Sequence, residues 1–148
     1  MFYSRTLKTA QQKGFTLMEI LIVVVILGVL AGVVAPKLFG ETERARVVRA
    51  KQDIDAFKTA LNMYRLDNFS YPSTDQGLES LVTAPGGSPN AKNWRQGGYL
   101  DRLPMDPWGN PYQYLSPGQH GDMDIYSLGM DGRLGGDGNG TDIGSWNL

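Results

Sequence analysis

Oxygen-bearing side chains cluster in a glycine-rich segment near the C-terminus. Residues 128–146 read LGMDGRLGGDGNGTDIGSW and include Asp131, Asp137, Asn139 and Asp142. Ca²⁺ takes about six to eight oxygen ligands, backbone carbonyls among them, and glycine lets a chain wrap closely around such an ion. The segment is not an EF-hand, because Asp142 stands at the sixth position from Asp137, where that loop requires glycine. Two interpretations stay open: a calcium-binding loop, or a flexible loop whose Asp and Asn residues favour turns.

A second residue of chemical interest is Glu19, the one ionisable side chain in the apolar run from Phe15 to Val34. An acid inside a membrane span costs on the order of 3 kcal/mol at its centre, less near its end, and usually has a partner. Cleavage after Gly14 would free a positive amine on Phe15. We therefore hypothesise that staggered identical helices pair Glu19 of each subunit with the Phe15 amine of the next.

The remaining composition excludes several chemistries. The chain has no cysteine, which excludes a disulfide scaffold, a thiol nucleophile and cysteine-based metal sites. Its one histidine, His120, lies in a glycine-rich turn and is expected to be exposed and without function. A formal net charge of −1 gives no electrostatic case for binding nucleic acid. No nucleophile–base pair and no paired carboxylates in a cleft are evident, so we predict no catalytic residues and no enzyme.

The apolar run predicts a membrane span, since about 20 helical residues cross a hydrocarbon core of about 30 Å. The preceding residues 1–14 contain no acid and three basic residues, Arg5, Lys8 and Lys13. The positive-inside tendency then places the N-terminus in the cytoplasm and everything after Pro36 on the far side. Residues 31–35 could mimic a signal-peptidase site, so composition alone leaves an anchor and a cleaved secretory signal both open.

An amphipathic helix follows from Glu41 to Leu66. Its apolar residues recur at spacings of three and four and form one stripe, Val47, Ala50, Ile54, Phe57, Leu61 and Tyr64. The stripe predicts packing on a globular head. A coiled-coil partner is the weaker alternative, because the pattern runs for less than about four heptads. Joined to the apolar run, it predicts one helix from Phe15 to about Leu66, weakened at Pro36.

The rest of the chain predicts a small, loop-rich head. Turn formers in residues 67–72 end the helix, and Ser73 to Gln76 resemble a capping box that opens a short helix through about Val82. Alternating residues predict two strands and a third near the C-terminus, so the fold class is α+β with a small antiparallel sheet packed on the long helix. The two strands cover residues 112–115 and 125–128, joined through 116–121.

The N-terminal motif carries a family resemblance. Lys13-Gly14-Phe15-Thr16-Leu17-Met18-Glu19, after a short basic leader, resembles the type III signal of type IV pilins and pseudopilins. In that family a membrane aspartyl peptidase cuts after the glycine and methylates the new N-terminal phenylalanine. The resemblance implies cleavage between Gly14 and Phe15, N-methylation of Phe15 and an assembly role for Glu19. The order of these residues favours it over a secretory signal.

Three further motifs resemble the major pseudopilins, the G-type subunits of type II secretion systems. They are Asp106 to Tyr112 (DPWGNPY), Asp124 to Gly132 (DIYSLGMDG) and Asp142 to Trp146 (DIGSW). The resemblance implies a type IV pilin-like fold and one structural Ca²⁺ that folds the head without doing chemistry. Asp131 is the first ligand it implies. The other candidates are Asp137, Asn139, Asp142 and the carbonyls of Leu128 and Arg133.

The implied function is that of a structural subunit. Such a subunit polymerises from the bacterial inner membrane into a periplasmic filament, the pseudopilus, and drives export of folded proteins across the outer membrane. Its partners would be copies of itself, minor pseudopilins, an inner-membrane assembly platform and a prepilin peptidase/N-methyltransferase. The expected parts are a leader (1–14), a transmembrane or filament-core helix (15–36), an amphipathic helix (37–66) and a periplasmic head (67–148).

Three other functions agree less well with the sequence. A type IV pilin for adhesion or motility is the main alternative, but such pilins usually carry a C-terminal cysteine pair, which this chain lacks. A membrane-anchored hydrolase that depends on calcium lacks a recognisable catalytic pair. A soluble binding module behind a cleaved signal does not account for an amphipathic helix that continues directly from the apolar one.

Overall fold

The computed structural model describes residues 14–148, with residues 35–39 described by their backbone alone. The predicted basic leader, apart from Gly14, therefore lies outside the described residues. The described chain divides into two units. The first ends at Gly40, and the second, called the head unit below, is Glu41–Leu148.

One α-helix, α1, covers Leu17–Asn68. The sequence predicted Phe15 to about Leu66, and the structure confirms this within two residues at each end. In the first unit the stretch Leu17–Val34 has a mean hydropathy of 3.0, and none of it is buried within the chain. The segment is therefore long and apolar enough to cross a membrane.

The core of the head unit lies along the predicted stripe of α1. Ala50, Ile54, Phe57, Leu61 and Tyr64 are almost completely buried, and Val47 packs against them from a half-buried position. Each such large side chain contributes about 1.5–3 kcal/mol when it leaves water. The ring of Phe57 meets that of Tyr112 edge to face, with centroids 5.2 Å apart. The stripe is thus the face that holds the head, and this prediction is confirmed.

The segment after α1 differs from its prediction. The capping pair forms as expected: the Ser73 amide donates to Gln76 Oε1 (3.0 Å) and the Gln76 amide donates to Ser73 Oγ (3.3 Å). No α-helix runs through Val82, however, and only a short 3₁₀ helix, Leu78–Leu81, follows. Gly77 explains the difference, because its left-handed φ of 62° breaks the helical path just after the cap.

A three-stranded antiparallel sheet covers the stripe. Its strands are β1 (Gln113–Leu115), β2 (Asp124–Ser127) and β3 (Ile143–Gly144), in the order β1-β2-β3. Tyr114 pairs with Ile125, and Ser127 pairs with Ile143. Both predicted strands and the third C-terminal strand are confirmed, with a shift of one residue in the bounds. A second 3₁₀ turn, Gly138–Gly140, lies in the loop before β3.

Tyr114 makes the head unit sensitive to alkaline pH. Its hydroxyl donates to the Pro72 carbonyl (2.9 Å), and burial raises the pKa of the phenol from 10.0 to about 12. The unfolded chain releases this proton first, so the stabilisation is complete below pH 10 and is lost as pH rises towards 12. Denaturant unfolding of the full chain in detergent measures the free energy of unfolding. Between pH 10 and about 12, this free energy should fall less steeply with pH for Tyr114→Phe than for wild type, by the equivalent of about one proton. Identical slopes of unfolding free energy against pH for wild type and Tyr114→Phe would contradict this assignment.

Candidate functional site

Glu19 lies in the first turn of α1 and has a local partner. Its carboxylate Oε2 accepts hydrogen bonds from the Thr16 amide (2.8 Å) and the Thr16 hydroxyl (3.0 Å), while the Glu19 amide donates to Thr16 Oγ1 (3.2 Å). This is a capping box, which satisfies amides that the helix start leaves unpaired. Glu19 therefore has a hydrogen-bond partner within its own chain, besides the partner hypothesised in a neighbouring subunit. The T-x-x-E spacing of Thr16 and Glu19 is the sequence pattern of a capping box, and it could have predicted this contact.

The capping box leaves the charge of Glu19 uncompensated. Thr16 supplies hydrogen bonds but no positive charge, and both of its bonds go to Oε2. A carboxylate offers about four acceptor sites on its two oxygens. The other oxygen, Oε1, accepts no hydrogen bond from residues 14–148 and remains available to a cation. The geometry thus orients the acid at the start of the helix without neutralising it.

The apolar half of α1 has no core of its own. Large side chains such as Ile22 and Val25 are 47% and 59% exposed, and a Cβ on Gly28 or Gly32 would meet nothing within 4 Å. Exposed apolar area of this extent marks a surface that lipid or other protein covers. Small residues spaced as Gly28 and Gly32 are also typical of helices that approach each other closely in membranes.

The C-terminal loop closes around Asp131. The carboxylate accepts the Arg133 amide through Oδ1 (3.1 Å), and the Met130 amide donates to the Asn139 carbonyl (3.3 Å). A Cβ on Gly140 would lie 2.8 Å from Asp131 Oδ2, and one on Gly136 would lie 3.0 Å from it. These glycines therefore let the backbone approach the carboxylate more closely than any other residue would allow.

Asp142 adds a buried oxygen that the chain does not satisfy. Its Oδ2 accepts the Gly135 amide (2.8 Å), whereas Oδ1 is buried and has no hydrogen-bond partner among the described residues. Such an atom carries a desolvation cost of about 1–3 kcal/mol unless a water or an ion meets it. This observation favours a bound group in the loop, and oxygen ligands of this kind suit a hard cation.

Most of the predicted ligand residues are exposed. Asp131, Arg133, Asp137 and Asn139 are exposed, and Leu128 is half-buried directly after β2. Between residues 14 and 148, no three His, Asp or Glu side chains converge as a metal site built from them requires. A cation here would have to take part of its coordination from amide and backbone oxygens, which Ca²⁺ accepts.

Two buried carboxylates organise the head unit, and sequence reasoning gave neither a role. Asp106 accepts the amides of Trp108 (3.0 Å) and Asn110 (2.7 Å) and the Ser127 hydroxyl (2.6 Å), which ties the DPWGNPY loop to β2. The indole of Trp108 in this loop is half-buried, and its N–H donates to Glu43 Oε2 on α1 (3.2 Å).

Asp124 is the second buried carboxylate. It accepts the amides of Gln119 (2.6 Å) and His120 (3.0 Å), and its Oδ2 lies 3.1 Å from His120 Nδ1. The His120 ring also stacks on Trp146, with centroids 4.0 Å apart. His120 is exposed, as expected, but it takes part in closing the turn before β2. These contacts stabilise structure and bring no nucleophile and base together.

The helix and sheet define a pilin-like subunit, and comparison with known proteins agrees. Residues 9–35 match the family model of the prokaryotic N-terminal methylation motif. Residues 37–146, most of the chain, match the model of type II secretion system (T2SS) protein G. The chain belongs to this protein G family.

Individual relatives are similar over nearly their whole length. The type II secretion system core protein G of Pseudomonas aeruginosa is 60% identical over 136 residues, 92% of this chain and 96% of the relative. That of Vibrio cholerae is 57% identical over 141 residues, 95% and 96% of the two chains. The crystal structure of the major pseudopilin from the type 2 secretion system of enterohaemorrhagic Escherichia coli superposes with a TM-score of 0.69 at 47% identity. That match covers 76% of this chain and 96% of the other.

These comparisons confirm the fold class and the family predicted from the motifs. A structural family also agrees with the prediction that the chain is not an enzyme. The methylation motif and the apolar start of α1 together indicate a membrane-anchored subunit. The matches to protein G and to the major pseudopilin favour a secretion subunit over a pilin for adhesion or motility.

Proposed function

We propose that this chain is a structural subunit of the type II secretion pseudopilus. It polymerises from the inner membrane into a periplasmic filament whose growth drives export of folded proteins across the outer membrane. The observation that carries the proposal is the contrast within α1: the stripe from Ala50 to Tyr64 has a core to pack on, and Leu17–Val34 has none. Lipid covers the apolar segment before assembly, and copies of the same segment cover it in the filament.

Topology follows from the charges that flank the apolar segment. The basic residues before Gly14 keep the N-terminus in the cytoplasm, so the single span leaves the head unit in the periplasm. The partners are other copies of the chain, minor pseudopilins, an inner-membrane assembly platform and a prepilin peptidase/N-methyltransferase. A net charge of −1 provides no electrostatic attraction for nucleic acid, so nucleic acid is not among the proposed partners.

The first step of the proposed function is cleavage of the chain between Gly14 and Phe15, before assembly. Intact mass and N-terminal sequencing of the membrane-extracted chain should show loss of residues 1–14 and one added methyl on Phe15. Both changes should require a prepilin peptidase in the same cells. A full-length chain, or a cut near Ala35, would make the apolar segment an ordinary anchor or secretory signal and would remove the basis for the filament.

Glu19 acts in assembly through its charge. Cleavage leaves Thr16 in place as the second residue of the mature chain, so the capping box can hold Glu19 Oε2 while Oε1 faces a neighbour. The amine of Phe15 in the next subunit supplies the missing positive charge. Pairing buried opposite charges offsets the cost of an acid in an apolar environment and sets the register of the subunits.

Glu19→Gln separates charge from helix capping, because glutamine also serves in a capping box. We expect Glu19→Gln to insert in the membrane normally and to lose filaments and secretion as completely as Glu19→Ala. Electron microscopy of sheared filaments and export of a reporter protein measure both. The matched control is Glu41→Ala, an exposed acid outside the apolar segment. Normal filaments with Glu19→Gln, together with loss in Thr16→Ala, would assign Glu19 to capping alone.

A structural Ca²⁺ in the C-terminal loop is the second part of the proposal. The support is the unsatisfied buried oxygen of Asp142 and the close wrap of Gly136 and Gly140 around the Asp131 carboxylate. Asp131 is the central ligand. The remaining candidates are Asp137, Asn139, Asp142 and the carbonyls of Leu128 and Arg133. The ion would hold the loop closed against the sheet, since the chain has no cysteine for a disulfide.

Calcium removal should destabilise the head unit. A ligand that binds only the folded state stabilises it by about 2.7 kcal/mol at 100 times its Kd. We expect a chelator to lower the melting temperature of the full chain in detergent and Ca²⁺ to restore it. Asp131→Ala should already melt at the lower temperature and gain nothing from Ca²⁺, whereas the control Asp75→Ala, an exposed acid outside the loop, should respond like wild type. A melting temperature that the chelator leaves unchanged would refute the proposed calcium site.

A further inference from the structure

Two large apolar side chains project from the end of α1 into solvent. Leu66 is 77% exposed and Phe69 is 84% exposed, and we call this pair the apolar knob. A shallow surface depression at the knob is lined by these two residues together with Asn62 and Arg65. Arg65 is the one charged residue of the four, and it also bonds Asp122 and the Tyr71 hydroxyl. The knob therefore presents an apolar tip beside a guanidinium that is paired with Asp122 through Nη1 and is still half-exposed.

The backbone at the knob makes this exposure unusual. Phe69 has φ 64°, and it is the one non-glycine residue with positive φ among residues 14–148. Glycine or asparagine normally takes this position after a helix, because larger L residues are strained there. The phenyl ring gains almost no burial within its own chain in return. A strained backbone that holds an aromatic ring in solvent indicates a contact outside the chain.

A groove of about 410 Å³ lies elsewhere on the head unit. Its rim includes Leu103, Pro104, Met105 and Pro111, and Met105 is 58% exposed. Methionine adapts its shape to an incoming side chain, which suits a binding surface. Glu79 is the one charged residue that lines the groove, and it forms no ion pair within the described part of the chain. The groove thus combines apolar side chains with polar ones such as Thr74 and Gln113, and it has one negative charge in its lining.

We propose that the apolar knob of one subunit docks in this groove of the next copy of the chain, with Arg65 facing Glu79. The two surfaces share no residue, so each copy can use both at once. A contact between two different surfaces of identical chains is heterologous, and repetition of it builds an open helical filament if the rotation does not close. Opposite charges fix the orientation of the docked pair. The inference rests on the proposed filament and adds a head contact to the helix contacts.

The absence of cysteine allows a direct crosslinking test. Chains with Phe69→Cys and chains with Met105→Cys, each otherwise cysteine-free, are expressed separately and together in cells that form filaments. Mild oxidation should give disulfide-linked dimers when the two are mixed, with yield at least about tenfold above either variant alone. A chain that carries both substitutions should give a ladder of multimers. Dimers of Phe69→Cys alone would instead indicate a symmetric contact and would overturn the proposal.

Stability and assembly should respond oppositely to Phe69→Gly. Glycine relieves the left-handed strain, so the melting temperature of the full chain in detergent should rise, while filament yield should fall about tenfold, as for loss of an interface anchor. A lower melting temperature would show that the ring stabilises its own chain. The control is Leu148→Ala, an exposed apolar residue outside both surfaces. Glu79→Arg should reduce assembly because it places a like charge opposite Arg65, and Glu79→Gln should reduce it less; both leave the Arg65–Asp122 ion pair intact.

These outcomes separate the two proposals. If wild type forms filaments but the mixed Phe69→Cys and Met105→Cys chains do not crosslink, the knob and groove are overturned and the pseudopilus function stays intact. Absence of filaments in wild type, with normal processing after Gly14, contradicts the proposed function itself. Normal assembly of Glu79→Arg, together with positive crosslinking, would keep the docking of the apolar knob and remove the Arg65–Glu79 pairing from the proposal.

Discussion

The packing of one face of α1 on a three-stranded sheet is the contact on which the head unit depends. Phe57 and Tyr64 supply the largest buried side chains, and Tyr112 and Ile125 meet them from the sheet. Sheets with strands of two to four residues are marginal unless a helix covers one face. The helix therefore provides both the core and the support for the sheet, and an interruption of its stripe would remove both.

A core this small leaves polar contacts to organise the loops. Asp106 joins a proline-rich loop to β2, Asp124 closes the turn before it, and the Tyr112 hydroxyl donates to Asp53 on α1 (2.9 Å). Burial is the main cause that raises the pKa of Tyr112, so its hydroxyl stays protonated as a donor. Hydrogen bonds to buried carboxylates contribute more than neutral ones, about 1.5–3 kcal/mol each. They link distant segments of this chain, as disulfides do in many small domains.

The sequence predicted what periodicity controls and missed what depends on contacts between distant residues. The stripe from Val47 to Tyr64 was readable because each residue repeats at the helical period. The break at Gly77 was not, since a capping pair favours a helix and only the backbone reveals a left-handed φ. The roles of Asp106 and Asp124 depend on partners brought together by folding. The local partner of Glu19 could have been predicted, because Thr16 precedes it by three residues.

The capping box also affects the energy of Glu19 in the membrane and in the proposed filament. In the membrane before assembly, bonds from Thr16 lower the cost of Glu19, and the cost is further reduced because the acid lies near the end of the span. Those bonds lie within one chain, so under the proposed pairing a filament subunit keeps them and they favour neither state. Only a partner that supplies positive charge distinguishes the two, and an equilibrium shifts by no more than such a difference. Under the proposed pairing, the drive to assemble therefore comes from the charge that Thr16 leaves uncompensated, while Thr16 fixes where that charge points.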